Sequence, residues 1–405
     1  MRILQVNKFL YPKGGAELYM FGLSQTLKQQ GHEVAFFGMD HPNNPDLPYR
    51  KYWVKNVDFK QAKGLGKFKA APRLIWNREA KRNFRGLIAE FKPDIIHCHN
   101  IYHQISPSIL PEAKKAGIPV VMHLHDYKLV SADYLMFHDG KPCQRCAGAS
   151  IWHCVRHRCY GSYGASFLVA LETWINRDIL DIYRRNVDRY ISPSRFVEKM
   201  FVQAGYPGEK ITQITNFIVP AEFVPESEEK DYLLYFGRLS REKGIDVLIK
   251  ALASTNHTLK IAGAGPEEGK LKDMVKALGL ESQVEFTGFQ DHAQLDRLIR
   301  EAKAVIFPSI WFENAPLSLL ESLARGKICL ASNIGGMPEV IEHGDNGLLF
   351  KPGDPQSIRG AIASLLTIHR DWMKKAAHER SKEYAIDRII PKILKIYEEI
   401  RSNKK

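Results

Sequence analysis

Short apolar runs alternate with amphipathic stretches along almost the whole chain. The runs have the length of buried strands, and they fall into two series. The first series is Ile3–Val6, Val34–Phe37, Ile95–Cys98, Val120–Leu124 and Tyr190–Ser192, and the second is Leu233–Phe236, Leu259–Ala262, Val284–Thr287, Val305–Phe307 and Ile328–Ala331. Helical periodicity lies between the runs, for example in residues 16–30 and 317–324. This alternation predicts the α/β class, with parallel sheets wound by helices on both faces.

The break between the two series predicts two domains. Residues 1–215 form a predicted N-terminal Rossmann-like domain, with a cysteine-rich insertion at 140–160, and residues 216–385 form a C-terminal one. Ligands of such sheets bind beyond the carboxyl ends of the strands, so two facing domains predict one central cleft. Residues 386–405 predict a helix whose apolar face packs back on the N-terminal domain.

The charge of the chain favours anionic partners. The formal net charge is +13 over 405 residues, and +9 of it lies in residues 51–92. That window is either a solvated face with loops or a surface for an anionic membrane. No signal-peptide pattern opens the chain and no apolar run reaches the length of a membrane span. We therefore expect a cytoplasmic protein, at most peripheral on the inner face of the membrane. No nucleic-acid-binding signature accompanies the charge, so nucleic acid is not an expected partner.

Three segments carry candidate chemistry. Gly14 and Gly15 precede Glu17 where the first strand meets a helix, a turn that a ligand could approach closely, although a plain tight turn is the simpler alternative. Arg238 and Lys243 follow the first strand of the second series. Together they would neutralise a bound diphosphate and would stabilise it further as it becomes a leaving group. The alternative is a charged surface loop.

The third segment contains two carboxylates eight positions apart. Pro316 suits the first turn of a helix, which places Glu313 just before that helix and Glu321 about two turns further on than Glu313. Such carboxylates can bind the hydroxyl groups of a sugar and of a ribose. The alternative is one loop Glu and one exposed helical Glu.

Together these motifs resemble the GT4 family of retaining glycosyltransferases, which has the GT-B fold of two Rossmann-like domains. The resemblance covers almost the whole chain. It rests on the motifs at 14–17, 123–126, 237–244, 263–266, 287–289, 313–321, 335–339 and 346–349.

The resemblance implies roles for individual residues. Arg238 and Lys243 hold the donor diphosphate, and Glu321 binds the ribose. Glu313 and the backbone after it contact the donor sugar, and His125 contacts the sugar and its phosphate. The implied catalytic set is His125, Glu313, Arg238 and Lys243, and the implied substrate-binding set is Gly14, Gly15, Glu17, Asn314, Ala315, Pro316, Leu317, Glu321, Gly288 and Phe289. Many members carry Gly-Phe-Gly where this chain has residues 314–316, so the identity of the donor stays open.

The resemblance further implies a hexosyltransferase that retains the anomeric configuration. We expect a nucleotide-sugar donor, a UDP-sugar by family frequency, and a glycan or lipid-linked oligosaccharide acceptor in cell-surface polysaccharide synthesis. No Asp-x-Asp occurs in the chain, so no metal cofactor is expected for catalysis. A GT-B-type sugar-nucleotide epimerase or hydrolase is the alternative, and it would consume the donor without an acceptor.

Cysteine and histidine clusters raise the question of metal binding. Cys143, Cys146, Cys154 and Cys159 favour a structural zinc site in a cytosolic enzyme, with free thiols or a disulfide as the alternative. For the histidines His97, His99 and His103 we favour a place for one or two of them in the acceptor wall over metal binding.

Overall fold

A computed structural model describes residues 1–56, 73–221 and 229–403. Numbered along the chain, the strands of these residues are β1 (Arg2–Val6), β2 (Glu33–Phe37), β3 (Met39–Asp40), β4 (Val54–Lys55), β5 (Ile95–Cys98), β6 (Val120–His123), β7 (Phe137–His138), β8 (Lys141–Pro142), β9 (Arg189–Ser192), β10 (Ile211–Gln213), β11 (Tyr232–Phe236), β12 (Thr258–Ala262), β13 (Val284–Gly288), β14 (Ala304–Phe307), β15 (Cys329–Ser332) and β16 (Gly347–Phe350). The α-helices are Gly15–Gln29, Arg78–Phe91, Leu110–Lys115, His153–Arg156, Tyr163–Trp174, Ile182–Asn186, Arg195–Gln203, Ile245–Leu252, Glu268–Ala277, His292–Glu301, Leu317–Ala324, Met337–Val340, Pro355–Ser364, Arg370–Ser381 and Ile386–Ser402.

The chain divides into two compact units. Unit 1 comprises Met1–Met136, Gln144–Ile214 and Ile390–Lys405, and unit 2 comprises Phe137–Cys143 and Thr215–Ile389. Part of the basic window 51–92 falls outside the described residues, because 57–72 are not described. No helix of the described ranges is long and apolar enough to cross a membrane.

Unit 1 is built on a six-stranded parallel sheet with the order β10-β9-β6-β5-β1-β2. Its central strands are buried along their whole length; all four residues of β5 and of β6 are buried. A parallel sheet needs this apolar continuity because helices cover both of its faces. The carboxyl ends of β1, β5 and β6 meet at one edge, and this edge carries Asn7, His99 and His125.

Unit 2 contains a second six-stranded parallel sheet, with the order β13-β12-β11-β14-β15-β16. Alternate residues of its central strand β11 face opposite ways. Leu233 and Tyr235 belong to one buried cluster, and Leu234 and Phe236 belong to the other. Helices therefore cover both faces of this sheet as well, and the predicted fold class of two doubly wound Rossmann-like halves is confirmed.

The last helix, Ile386–Ser402, has a continuous apolar face. Ile390, Ile393 and Tyr397 on this face are fully buried. The Tyr397 hydroxyl lies 2.6 Å from Nδ1 of His97 at the end of β5. The helix thus contributes to the interior of unit 1 from the far end of the sequence.

Candidate functional site

The turn after β11 carries the two predicted cations of unit 2. Gly244 has a φ of 66°, and a Cβ added there would lie 2.1 Å from the Pro308 carbonyl oxygen, so only glycine fits. This close approach fixes the turn that ends in Lys243. Arg238 stands exposed near its start, and its guanidinium has no hydrogen bond or ion pair within the described residues. The turn therefore presents a free cation to solvent at the carboxyl edge of the sheet.

Lys243 and Glu313 form an ion pair. The Lys243 ammonium donates to Oε1 of Glu313 at 2.7 Å and lies 5.3 Å from the centre of the Trp311 ring. The Ser309 hydroxyl donates to the same carboxylate oxygen. Oε2 of Glu313 has no hydrogen-bond partner among the described residues, although the residue as a whole is buried. One oxygen of Glu313 is thus held in place and the other is left to accept a ligand hydroxyl.

Two glycines support the backbone of Glu313 from behind. The Gly336 N–H donates to the Glu313 carbonyl at 2.7 Å. Gly335 has a φ of 63°, and a Cβ there would lie 2.3 Å from the same carbonyl oxygen. The turn at 335–336 therefore fixes the position of Glu313 through backbone contacts.

The helix that follows Glu313 begins at Leu317, with Pro316 as its N-cap. The prediction that Pro316 occupies the first helical turn is thus off by one position, and Glu321 is the fifth helical residue. The N–H groups of Leu317 and Ser318 have no partner inside the helix, because the first turn of an α-helix leaves its donors free. The side-chain amide of Asn216 donates to the Ala315 carbonyl at 2.8 Å and so helps to fix the backbone just before the helix.

Glu321 lies half-buried on the first turns of this helix. Burial raises the pKa of its carboxyl group, and nearby Arg325 and His292 oppose that shift. Gly288 ends β13 with a φ of 72°, and its carbonyl accepts from the Gly263 N–H at 2.7 Å. The next residue, Phe289, is 82% exposed. An apolar ring this exposed offers a stacking surface for a planar ligand.

In unit 1, the predicted glycine turn opens a helix. Gly14 is the N-cap of helix Gly15–Gln29, and no side chain caps this end. Glu17 in the first turn is buried, and the Asn7 amide donates to its Oε1 at 2.9 Å. Burial raises the pKa of Glu17, and the hydrogen bond from Asn7 opposes the rise.

Four imidazole rings stack at the carboxyl ends of β5 and β6. This histidine stack comprises His97, His99, His123 and His125, with ring centres 4.5 Å apart for the first two and 4.3 Å apart for the last two. Burial lowers the pKa of His97 and of His125 to about 3, so the rings are neutral near pH 7. His125 is half-buried, whereas His97 and His99 are completely enclosed. His97 and His99 are therefore not accessible to an acceptor, whereas His103 is partly exposed, so the expectation that one or two of these three histidines line the acceptor wall stays a prediction.

The cysteine cluster is divided between the units. Cys143 belongs to unit 2, and the other three cysteines belong to unit 1. Cys146 and Cys154 are buried, whereas Cys143 and Cys159 are partly buried. In the part of the chain that the structure describes, no group of three or more His, Cys, Asp or Glu side chains is arranged to hold a metal ion. The structural zinc site stays a prediction.

Several residues around these sites were not singled out from the sequence. Ser309 and Trp311 surround the Lys243–Glu313 pair, and Gln5 contacts the histidine stack. Ser309 could have been identified from its position in the sequence, because it follows the carboxyl end of β14 and parallel sheets bind ligands at that edge.

Comparison with known proteins identifies the family. The model described as Glycosyltransferase Family 4 matches residues 13–222, and the model described as Glycosyl transferases group 1 matches residues 221–386. Glycogen synthase of Mycobacterium tuberculosis is 30% identical over 90% of this chain and 86% of that protein. N-acetyl-alpha-D-glucosaminyl L-malate synthase of Bacillus anthracis is 28% identical over 98% and 97%. The structure of Anabaena HepE in complex with UDP-glucose matches with a TM-score of 0.70 and 19% identity, over 98% of this chain and all of that one (100%). The chain therefore belongs to Glycosyltransferase Family 4 and is a glycosyltransferase with the GT-B fold.

Proposed function

We propose that this enzyme transfers a hexose from a UDP-sugar to a glycan or lipid-linked oligosaccharide, with retention of the anomeric configuration and without a catalytic metal ion. The observation that carries the proposal is the arrangement at the carboxyl edge of the unit 2 sheet. A free guanidinium, an ammonium and a buried carboxylate stand together there with the open start of a helix. Each of these groups matches one part of a nucleotide sugar.

The diphosphate is matched by positive charge and free N–H groups. Arg238 has no partner within the described residues, and its planar fork suits two phosphate oxygens. The N–H groups of Leu317 and Ser318 and the positive end of their helix favour an anion as well. These groups stabilise the negative charge that grows on the departing diphosphate, the role that a metal ion plays in other transferases.

The sugar and the nucleoside are matched by hydroxyl acceptors and by an exposed ring. Oε2 of Glu313 is available to a sugar hydroxyl, and the half-buried Glu321 carboxylate can accept hydrogen bonds from the ribose hydroxyls. The Phe289 ring suits the base. A UDP-sugar is favoured because HepE, which shares the fold, was solved with UDP-glucose. A glycan acceptor is favoured by the likeness to glycogen synthase.

The donor site can be tested by thermal stabilisation with UDP-glucose, UDP-galactose, UDP-N-acetylglucosamine and GDP-mannose. A ligand that binds only the folded state raises the melting temperature. Arg238→Ala should remove the stabilisation, and Arg241→Ala is the matched control, because Arg241 is exposed in the same turn. The donor proposal fails if no nucleotide sugar stabilises the protein, or if both variants respond like wild type.

The reaction itself is tested with the stabilising donor and an oligosaccharide acceptor. NMR of the product should show the anomeric configuration of the donor, and chelation by EDTA should leave the rate unchanged. Inversion of the configuration or loss of activity in EDTA would contradict the corresponding part of the proposal. Rapid consumption of the donor without any acceptor would instead favour a sugar-nucleotide epimerase or hydrolase. Vesicles of anionic lipid test the membrane role predicted for residues 51–92.

A further inference from the structure

Helix Tyr163–Trp174 of unit 1 exposes apolar side chains to solvent. Its one charged residue, Glu172, is buried and forms an ion pair with Lys128 at 2.7 Å. Tyr163 is 60% exposed and Phe167 is 49% exposed. The positions of this helix that reach solvent carry no charge, and they are Tyr163, Gly164, Ala165, Phe167, Leu168, Val169, Leu171 and Trp174. The outer side of a helix in a globular protein is normally polar, so this side has the composition of a binding surface.

Aromatic rings are packed together on this side of the helix. The centre of the Trp152 ring lies 5.8 Å from that of Phe167 and 5.7 Å from that of Trp174. Tyr163 stands four positions before Phe167 and therefore shares its side of the helix. We call Trp152, Tyr163, Phe167 and Trp174 the aromatic face. Trp and Tyr are enriched where hydrocarbon meets water, because each ring is largely apolar and carries one polar atom.

Unpaired positive charge lies beside the aromatic face. Residues 144–171 contain three arginines and no Asp or Glu. The Arg158 guanidinium lies 5.3 Å from the centre of the Tyr163 ring. Arg156 and Arg158 are exposed, and neither forms an ion pair within the described residues. Asp178, an exposed acid after the helix, is already paired with the preceding arginine at 2.8 Å. An anionic partner would thus meet two arginines here without displacing an acid.

The aromatic face and the unpaired arginines together favour one kind of partner. A two-fold interface pairs a patch with itself, so a second copy of this chain would bring Arg156 and Arg158 of both copies into one interface. An anionic lipid membrane avoids this repulsion. Its phosphates attract the arginines, and its acyl chains accept the rings and the aliphatic side chains of Leu168 and Leu171. The same partner thus satisfies the charged and the apolar parts of the surface.

We propose that the aromatic face is a docking surface for an anionic lipid membrane, in which its rings enter the head-group region and Arg156 and Arg158 bind lipid phosphates. The surface includes none of residues 51–92, which were the sequence-based candidate for a membrane contact. The proposal does not depend on the identity of the donor or of the acceptor.

Flotation of the full-length protein with lipid vesicles tests the proposal. Wild type should bind vesicles of phosphatidylglycerol and phosphatidylcholine, should bind phosphatidylcholine alone far more weakly, and should lose affinity as salt is raised. Phe167→Ser should weaken binding to the anionic vesicles about 5- to 10-fold, because an apolar contact is lost. Arg156→Gln and Arg158→Gln should each weaken it about 5-fold. Both arginines are exposed and unpaired, so these two variants should melt at the wild-type temperature.

Val202→Ser and Lys199→Gln are the matched controls. Both residues are exposed on helix Arg195–Gln203 of the same unit and lie outside the aromatic face. These variants should bind anionic vesicles like wild type.

Three results would overturn the proposal. The first is a wild-type protein that does not float with anionic vesicles. The second is binding by Phe167→Ser and Arg158→Gln that equals that of wild type or of the two controls. The third comes from sedimentation equilibrium without lipid: a wild-type dimer that Phe167→Ser converts to a monomer would identify the face as an interface between two copies of this chain.

Discussion

Replacing Gly335 by Ala should destabilise unit 2 and weaken the binding of the donor sugar. Gly335 has a φ of 63°, in the left-handed region that residues with a Cβ rarely adopt. An added Cβ would lie 2.3 Å from the Glu313 carbonyl oxygen and 2.6 Å from the Glu313 nitrogen. Both contacts are with backbone atoms, so no side chain can rotate away and the Glu313 segment itself has to move.

The size of the effect follows from two contributions. The left-handed conformation costs a non-glycine residue about 1–2 kcal/mol. Movement of Glu313 also breaks the 2.7 Å hydrogen bond from the Gly336 N–H, which contributes about 1 kcal/mol. The free energy of unfolding of unit 2 should therefore fall by about 2–3 kcal/mol. Displacement of Glu313 moves the carboxylate that we place at the donor sugar.

Gly344→Ala separates the two contributions. Gly344 also belongs to unit 2 and has a φ of 86°, but a Cβ there would meet nothing within 4 Å. This control should lose only the conformational part, about 1–2 kcal/mol, and should bind the donor like wild type. Urea denaturation measures the stability of both variants, and titration calorimetry with UDP-glucose measures binding.

The comparison can refute the reasoning cleanly. If the free energy of unfolding falls equally in Gly335→Ala and Gly344→Ala, the close approach of residue 335 to the Glu313 backbone contributes nothing to stability. If Gly335→Ala is less stable but binds UDP-glucose like wild type, then Glu313 is not held at the sugar by this turn. The reasoning holds only if Gly335→Ala loses more stability than Gly344→Ala and also binds UDP-glucose more weakly than wild type.

Four other substitutions give independent checks. Glu321→Ala should weaken UDP by up to about 3 kcal/mol in calorimetry, whereas 2′,3′-dideoxy-UDP should bind both proteins equally. Burial lowers the pKa of His97 to about 3, so below about pH 6.5 the unfolded chain binds a proton there that the folded chain does not. The free energy of unfolding should therefore fall as the pH drops from about 6.5 to about 3, and His97→Phe should flatten that slope by about 1.4 kcal/mol per pH unit. Glu229→Gln leaves the buried Lys327 ammonium without its 2.9 Å carboxylate partner and should cost about 3–5 kcal/mol in urea denaturation. Glu313→Gln should raise the affinity for UDP about 2- to 5-fold and lower transfer, measured by calorimetry and product formation.

The secondary structure was largely predictable because the apolar periodicity is strong. Helix Leu317–Ala324 was predicted with the bounds that it has in the structure. In the two six-stranded sheets, strands β10 and β16 were missed. Both are short strands at the ends of their sheets, and β16 begins with a glycine, so local sequence shows little preference for a strand. Their formation depends on pairing with a neighbour that is already in place.

The pairing of side chains in the sites could not be predicted. Lys243 and Glu313 were both identified, but their ion pair joins residues 70 positions apart. Gln5 and His99 meet because β1 and β5 are paired in one register, in which Gln5 lies opposite His97. A shift of one residue would turn Gln5 to the other face of the sheet. Register is set by packing of the whole unit, so the contact between Gln5 and the histidine stack has no local signature.

The Lys243–Glu313 pair bears on which ligand the proposed donor site prefers. Without a ligand, the two charges of the pair largely cancel, whereas the exposed Arg238 has no ion-pair partner among the described residues and remains available to a phosphate. When a diphosphate draws the Lys243 ammonium toward itself, the buried Glu313 carboxylate keeps only the hydroxyl of Ser309. A buried carboxylate that loses its counter-charge is costly, and a sugar hydroxyl that donates to it offsets part of that cost. UDP alone provides no such sugar hydroxyl. Glu313 should therefore weaken the binding of UDP more than it weakens the binding of a UDP-sugar. Glu313→Gln should remove this opposition, which is why UDP should bind more tightly while transfer declines; weaker UDP binding in that variant would show that the pair does not compete with the diphosphate.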